Sequence, residues 1–132
     1  MYEQDFILRQ IKEITAVIAK VLFGADNVDQ AFYMLQEVER QKAFALVETM
    51  RSGEPEKAVR ELDKLSDNNT KENLMIGLEF YAQLSDMDEE YFIENGYSFG
   101  KARKDFEHFA EKFGVEQMTE LYFGKEEEKV SK

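Results

Sequence analysis

Apolar residues recur every three or four positions along most of the chain, a spacing that places them on one side of an α-helix. The first such segment, 3–23, carries charged residues such as Arg9 and Lys12 opposite its apolar stripe, and Gly24 follows as a C-terminal cap. We therefore predict an amphipathic helix of about six turns. Its stripe faces either the core of the domain or the same stripe of a second copy, and it consists of Ile7, Ile11, Ile14, Ile18 and Val21.

Turn and capping residues divide the middle of the chain into further helices. One helix is predicted from Asn27 to Gly53, and Pro55 then stands at the first position of a short helix, where its missing N–H needs no partner. A strongly apolar helix follows Thr70 and contains Gly77. Since glycine costs about 1 kcal/mol relative to alanine inside a helix, we predict that another helix crosses closely at Gly77.

The last third of the chain continues the helical pattern. It predicts a short acidic helix over 88–95, a helix from Ser98 to Gly114 with the clearest periodicity in the chain, and a last short helix before Gly124. No segment alternates with the period of two that is typical of a strand. We predict a single all-α domain over 1–124, with six or seven helices stacked as antiparallel pairs, either as a tetratricopeptide-like right-handed array or as an irregular bundle. Residues 125–132 are predicted to be a disordered charged tail.

Composition narrows the classes of partner. The chain has 28 acidic and 17 basic side chains among 132 residues, a net charge of −11, so it lacks the basic excess that nucleic-acid binding requires. Cysteine is absent, which excludes disulfides and thiolate metal sites. The acidic start is unlike a secretory signal, and no uncharged apolar run reaches the roughly 18 to 20 residues needed to cross a bilayer. We expect a cytoplasmic protein that binds neither nucleic acid nor membrane.

The residues that carry most enzyme chemistry do not form a recognisable motif. His108 is the only histidine and is expected to face water, so neither a catalytic triad nor a two-histidine metal site is predicted. Asp86, Asp88 and Glu90 alternate as in a calcium-binding loop, but Tyr91 stands where that loop needs glycine and Tyr97 where it needs a carboxylate. We predict no catalytic residue, no metal and no cofactor.

Tyrosines near the acidic residues of segment 86–94 are the strongest candidates for binding a partner. A tyrosine ring is apolar, but its hydroxyl favours a wet edge or a partner. Three tyrosines lie close to loops with acidic neighbours, and we predict that they line an acidic groove. The candidate residues are Tyr81, Tyr91, Tyr97, Asp88, Glu90 and Glu94.

Two resemblances support a helical fold. Segment 53–62, followed by Leu65, resembles the second helix of a tetratricopeptide repeat. More of the chain is similar to a family of small uncharacterised bacterial proteins, which implies an all-helical, repeat-like fold and brings no assigned activity. The residues that carry this likeness are Met1, Tyr2, Asp5, Phe6, Ile7, Arg9, Ile11 and 22–24, with 78–81 and 97–98 as later echoes.

Three functional hypotheses follow from these observations. The first is a non-catalytic interaction module whose acidic, tyrosine-bearing groove binds a basic or amphipathic peptide. The second is a small-ligand or metal-dependent enzyme whose carboxylates gather from several helices. The third is a homodimer formed through the first helix.

Overall fold

The computed structural model describes residues 2–120, with side chains described from Phe6 onward. This part of the chain is helical and contains no strand, which confirms the predicted all-α class. A further helical segment covers 116–120, and the predicted charged tail lies outside the described residues. The other helices are α1 Tyr2–Phe23, α2 Val28–Phe32, α3 Glu37–Arg51, α4 Pro55–Leu65, α5 Lys71–Ser85, α6 Glu89–Glu94 and α7 Phe99–Lys112.

Side-chain caps fix the beginnings of four helices. Asn27, Thr70, Asp88 and Ser98 each accept a hydrogen bond from the backbone N–H three residues later. Such a bond satisfies one of the N–H groups that the first helical turn leaves without a partner. Pro55 occupies the first position of α4, as predicted.

The helix predicted from Asn27 to Gly53 is wrong as a single element, because the chain leaves the helical path between α2 and α3. Gln36 is extended, with φ −68° and ψ 157°. The guanidinium of Arg40 donates to the backbone carbonyls of Tyr33 and Leu35, which the end of α2 leaves free. A charged donor thus stabilises a break that neither glycine nor proline marks in the sequence.

Helix α5 lies at the centre of the fold. It packs against α1, α2 and α3, while α1 also contacts α7 and α3 also contacts α4. Residues 73–81 of α5 are all buried, including the polar Asn73 and Glu79. In a repeat array each unit contacts only its neighbours. The contacts between α5 and α1 join helices that are far apart in the sequence. Whether the helix pairs form a tetratricopeptide-like array or an irregular bundle stays a prediction.

Gly77 of α5 makes room for an aromatic ring. A Cβ atom at this position would lie 2.1 Å from Cε1 and 2.2 Å from Cζ of Phe109 in α7. Such distances are far shorter than ordinary carbon contacts. The predicted close approach of another helix is therefore made by a side chain of α7.

The apolar stripe of α1 packs inside the chain. The side chains of Ile11, Ile14 and Ile18 have no exposed surface, whereas that of Val21 is 63% exposed. The core of the same chain therefore covers the centre of the stripe over Ile7, Ile11, Ile14, Ile18 and Val21, as the first of the two alternatives predicts. A homodimer through this helix stays a prediction. Within the described residues, no helix is both long and apolar enough to span a membrane.

Candidate functional site

The three tyrosines predicted to line a groove lie in the core. Tyr81 and Tyr97 are each 1% exposed and Tyr91 is 8% exposed. The Tyr91 hydroxyl donates to the backbone carbonyl of Met50, and the Tyr97 hydroxyl donates to Oδ2 of Asp105 at 2.7 Å. Burial raises the pKa of the Tyr91 phenol to about 12 and that of Tyr97 further still. The three rings thus pack mainly in the core, and a groove lined by all of them stays a prediction.

The predicted acidic residues, in contrast, lie on the surface at α6. Asp88 caps the helix through Oδ1, which accepts from the N–H of Tyr91 at 3.0 Å. Glu90 and Glu94 are exposed one turn apart, next to the exposed Glu89. None of these carboxylates forms an ion pair with another residue that the structure describes. No cation among the described residues therefore neutralises their negative charge.

An exposed apolar side chain lies among these carboxylates. Ile93 is 71% exposed, although its neighbour Phe92 is 2% exposed and stacks on Phe99 with ring centroids 4.5 Å apart. A shallow cleft of about 300 Å³ opens beside Ile93, over these two rings and Tyr97. We call this region the α6 surface; it consists of the cleft and of Asp88, Glu89, Glu90, Ile93 and Glu94.

A second concave region lies between α4 and α7, with α5 as its floor. Its volume is about 350 Å³, and Val59, Leu62 and Phe109 form apolar walls. The floor contains Tyr81. We call this region the α4–α7 cavity. Its polar lining consists of Arg60, Asp63, Lys64, Ser66, Lys101, Asp105 and His108.

Hydrogen bonds hold the two carboxylates of this cavity in place. Asp105, whose side chain is 14% exposed, accepts from Tyr97 and also from Nζ of Lys101, which lies 2.9 Å from Oδ1 and 3.1 Å from Oδ2. Oδ1 of Asp63 lies 2.9 Å from Nζ of Lys112 and 3.2 Å from Nε2 of His108. Both acids are thus oriented by cations of α7. His108 is 59% exposed, as its polar surroundings predict.

The sequence pattern alone does not predict this cavity. Asp63, Tyr81 and Asp105 come from three different helices, and each is an ordinary residue at its position in its own helix. Asp105 directly precedes the buried Phe106, as polar residues do along any amphipathic helix, so its position gives no local signal. No group of three or more His, Cys, Asp or Glu side chains among the described residues is placed to hold a metal ion.

Comparison with known proteins gives the chain a family. A family model described as a family of unknown function, DUF6483, matches residues 1–114. The chain belongs to this family. No curated protein and no solved structure matches it. The match covers all the helices from α1 to α7, and thus both the α6 surface and the α4–α7 cavity.

Proposed function

We propose that the protein is a non-catalytic helical interaction module that binds a basic, amphipathic segment of a partner protein at the α6 surface. One observation carries this proposal: Ile93 is 71% exposed among carboxylates that have no ion pair within the described residues. An isolated exposed apolar side chain is common on protein surfaces. Here it adjoins a cleft and a concentration of negative charge, and both features favour the same kind of partner.

Charge provides the attraction and the orientation. Glu90 and Glu94 lie one turn apart, so lysine or arginine side chains one turn apart on a partner helix are able to pair with them. Exposed pairs of this kind contribute more to association rate and specificity than to affinity, and salt weakens them. The net charge of −11 adds long-range attraction for a basic segment.

Apolar contact provides the remaining affinity. The cleft beside Ile93 has a volume of about 300 Å³ and lies over Phe92 and Phe99. An apolar side chain of the partner entering this cleft covers Ile93, and burial of apolar surface contributes roughly 25 cal/mol per Å². A purely basic segment without apolar residues lacks this contribution. The proposal therefore requires an amphipathic partner.

Binding of synthetic peptides tests the proposal. The probe is a labelled helical peptide of lysine and leucine with its leucines on one face, and the comparison peptide has the same charge with serine in place of leucine. We expect measurable affinity for the first peptide, weaker affinity for the second, and a decrease for both as salt increases. A lysine–leucine peptide that shows no salt-dependent binding overturns the proposal.

Variants locate the binding surface. Glu90→Gln with Glu94→Gln is expected to weaken binding several-fold, and Ile93→Ser is expected to weaken the lysine–leucine peptide selectively. The matched control is Glu13→Gln with Glu48→Gln, which removes two exposed carboxylates elsewhere without breaking an ion pair among the described residues. Equal losses in the two double variants mean that only net charge matters, and that result contradicts binding at the α6 surface. A cytoplasmic location and the absence of nucleic-acid partners remain predictions from the sequence.

A further inference from the structure

The hydroxyl of Tyr81 forms no hydrogen bond with a described residue, although the side chain as a whole is buried. The residue is 1% exposed, and its ring packs edge-on against Phe80 and Phe106 at centroid distances of 5.1 and 5.0 Å. No described residue donates to or accepts from its hydroxyl, whereas those of Tyr91 and Tyr97 both have partners. The fully enclosed side-chain oxygens without a partner among the described residues are Oε1 of Glu79 and Oε1 of Glu116. The Tyr81 hydroxyl is not one of them, so it borders open space in which a donor could lie.

The surroundings of this hydroxyl place it on the side of the α4–α7 cavity. Tyr81 lines the cavity, together with Asp63 and Asp105. Burial raises the pKa of the Tyr81 phenol, and the negative charges of Asp105 and Asp63 raise it further. The phenol therefore stays neutral and keeps lone pairs that are able to accept a hydrogen bond.

A second free acceptor lies in the same cavity. Both described contacts of the Asp63 carboxylate go to Oδ1, from Lys112 and His108. Oδ2 accepts no hydrogen bond from the residues that the structure describes. Asp105 uses both oxygens but retains acceptor capacity, since a carboxylate offers about four lone-pair positions. Acceptors from α4, α5 and α7 thus surround one space.

We propose that the α4–α7 cavity binds a small organic amine, whose ammonium group donates to the Tyr81 hydroxyl oxygen and to the carboxylates of Asp63 and Asp105. An ammonium group carries three donors and a positive charge, which matches this set of acceptors. The apolar part of the ligand lies against Val59 and Phe109. The volume of about 350 Å³ is within the range of small-molecule sites.

Two cations at the rim of the cavity favour an anionic ligand instead, and an experiment distinguishes the two kinds of ligand. Arg60 and Lys64 are exposed on α4 and form no ion pair with a described residue. These cations favour an anion at the mouth, whereas the acceptors on the floor favour a cation deeper inside. The probes are therefore chosen to share one apolar group and to differ only in the charged end.

The test is to titrate the full chain with 2-phenylethylamine, 2-phenylethanol and phenylacetate in turn. Binding is monitored through the chemical shifts of the backbone amides in nuclear magnetic resonance spectra. We expect saturable shifts from the amine at α4 and α7, and affinities about tenfold lower or worse for the alcohol and the acid. Tyr81→Phe keeps the ring and removes only the free hydroxyl, and it is expected to weaken the amine about tenfold. Asp63→Asn is expected to weaken it as well.

Control variants keep this test decisive. Tyr91→Phe also removes a phenolic hydroxyl from a buried tyrosine, but this hydroxyl lies outside the cavity. The Tyr91→Phe variant is therefore expected to bind the amine with the same affinity as the wild type. Tyr81→Phe removes no hydrogen bond among the described residues and is expected to melt no lower than the wild type. Tighter binding of phenylacetate overturns the assignment to amines. Equal binding by Tyr81→Phe and wild type, or no binding of the amine, overturns the site.

Discussion

Replacing Gly77 with alanine tests how α5 and α7 pack. Alanine is favoured over glycine inside a helix by about 1 kcal/mol, so a helix with free space at this position gains stability. At Gly77 the added Cβ atom meets Phe109 at 2.1, 2.2 and 3.1 Å. The ring must move by more than about 1 Å to reach ordinary carbon contact distance. Its position is restricted, because it packs between Tyr81 and Phe113 with centroid distances of 5.4 and 5.1 Å.

The net effect of Gly77→Ala is expected to be destabilising by about 2 kcal/mol. Overpacking a core costs about 1 to 3 kcal/mol and occasionally more, and a clash with a rigid, enclosed ring belongs at the upper end of that range. The helix-propensity gain of about 1 kcal/mol offsets part of the cost. For a domain of this size the remainder lowers the melting temperature by about 5 to 10 °C.

Gly100→Ala provides the matched control. Gly100 lies near the start of α7, where the atom nearest to an added Cβ outside the local backbone, Oγ of Ser98, is 4.0 Å away. The same substitution is therefore expected to raise stability there by up to about 1 kcal/mol. Urea unfolding followed by far-ultraviolet circular dichroism measures both variants. Similar changes at the two glycines would refute the packing argument, and so would failure of Phe109→Leu to reduce the cost of Gly77→Ala.

Three further predictions concern other buried or capping groups. Burial raises the pKa of the Glu79 carboxyl above its ordinary 4.5, so the folded chain holds this proton more tightly than the unfolded chain, and stability falls as the pH rises from 4.5 through the folded-state pKa. Urea unfolding at several pH values should show that Glu79→Gln flattens this decrease; an unchanged pH dependence contradicts the assignment. Tyr91→Phe loses the hydrogen bond to the Met50 carbonyl and should cost about 1 kcal/mol in chemical unfolding, whereas no loss would show that this bond contributes nothing. Thr70→Ala removes the cap of α5 and should also lower the stability of the fold by about 1 kcal/mol. Thr70→Ser keeps a hydroxyl that can accept the same hydrogen bond and should retain most of that stability; equal losses in thermal melts would rule out capping as the cause.

Local signals in the sequence predicted the helices well. Asn27, Thr70 and Ser98 cap the helices that they were expected to begin, because a cap acts on backbone groups only three residues away. The break after α2 was missed because it depends on Arg40, which lies several residues beyond it. A capping interaction over that distance leaves no pattern in apolar periodicity.

The candidate site was less predictable, because it depends on contacts between helices. Asp88, Glu90 and Glu94 lie near the surface as expected, since charged residues at the end of a short helix stay hydrated. The acidic neighbours of Tyr97 suggested a wet hydroxyl, but Asp105 accepts its hydrogen bond inside the fold. Sequence spacing shows which residues share a helix face, and it does not show which faces of α4, α5 and α7 meet.

The central position of α5 has a consequence for detecting ligands. Since α5 packs against α1, α2 and α3, its backbone amides should exchange with solvent only when the whole domain unfolds. Any ligand that binds only the folded chain lowers the unfolded population and slows that exchange. Hydrogen exchange at α5 thus reports occupancy of the α4–α7 cavity, which α5 lines, and equally of the α6 surface, whose residues do not belong to α5.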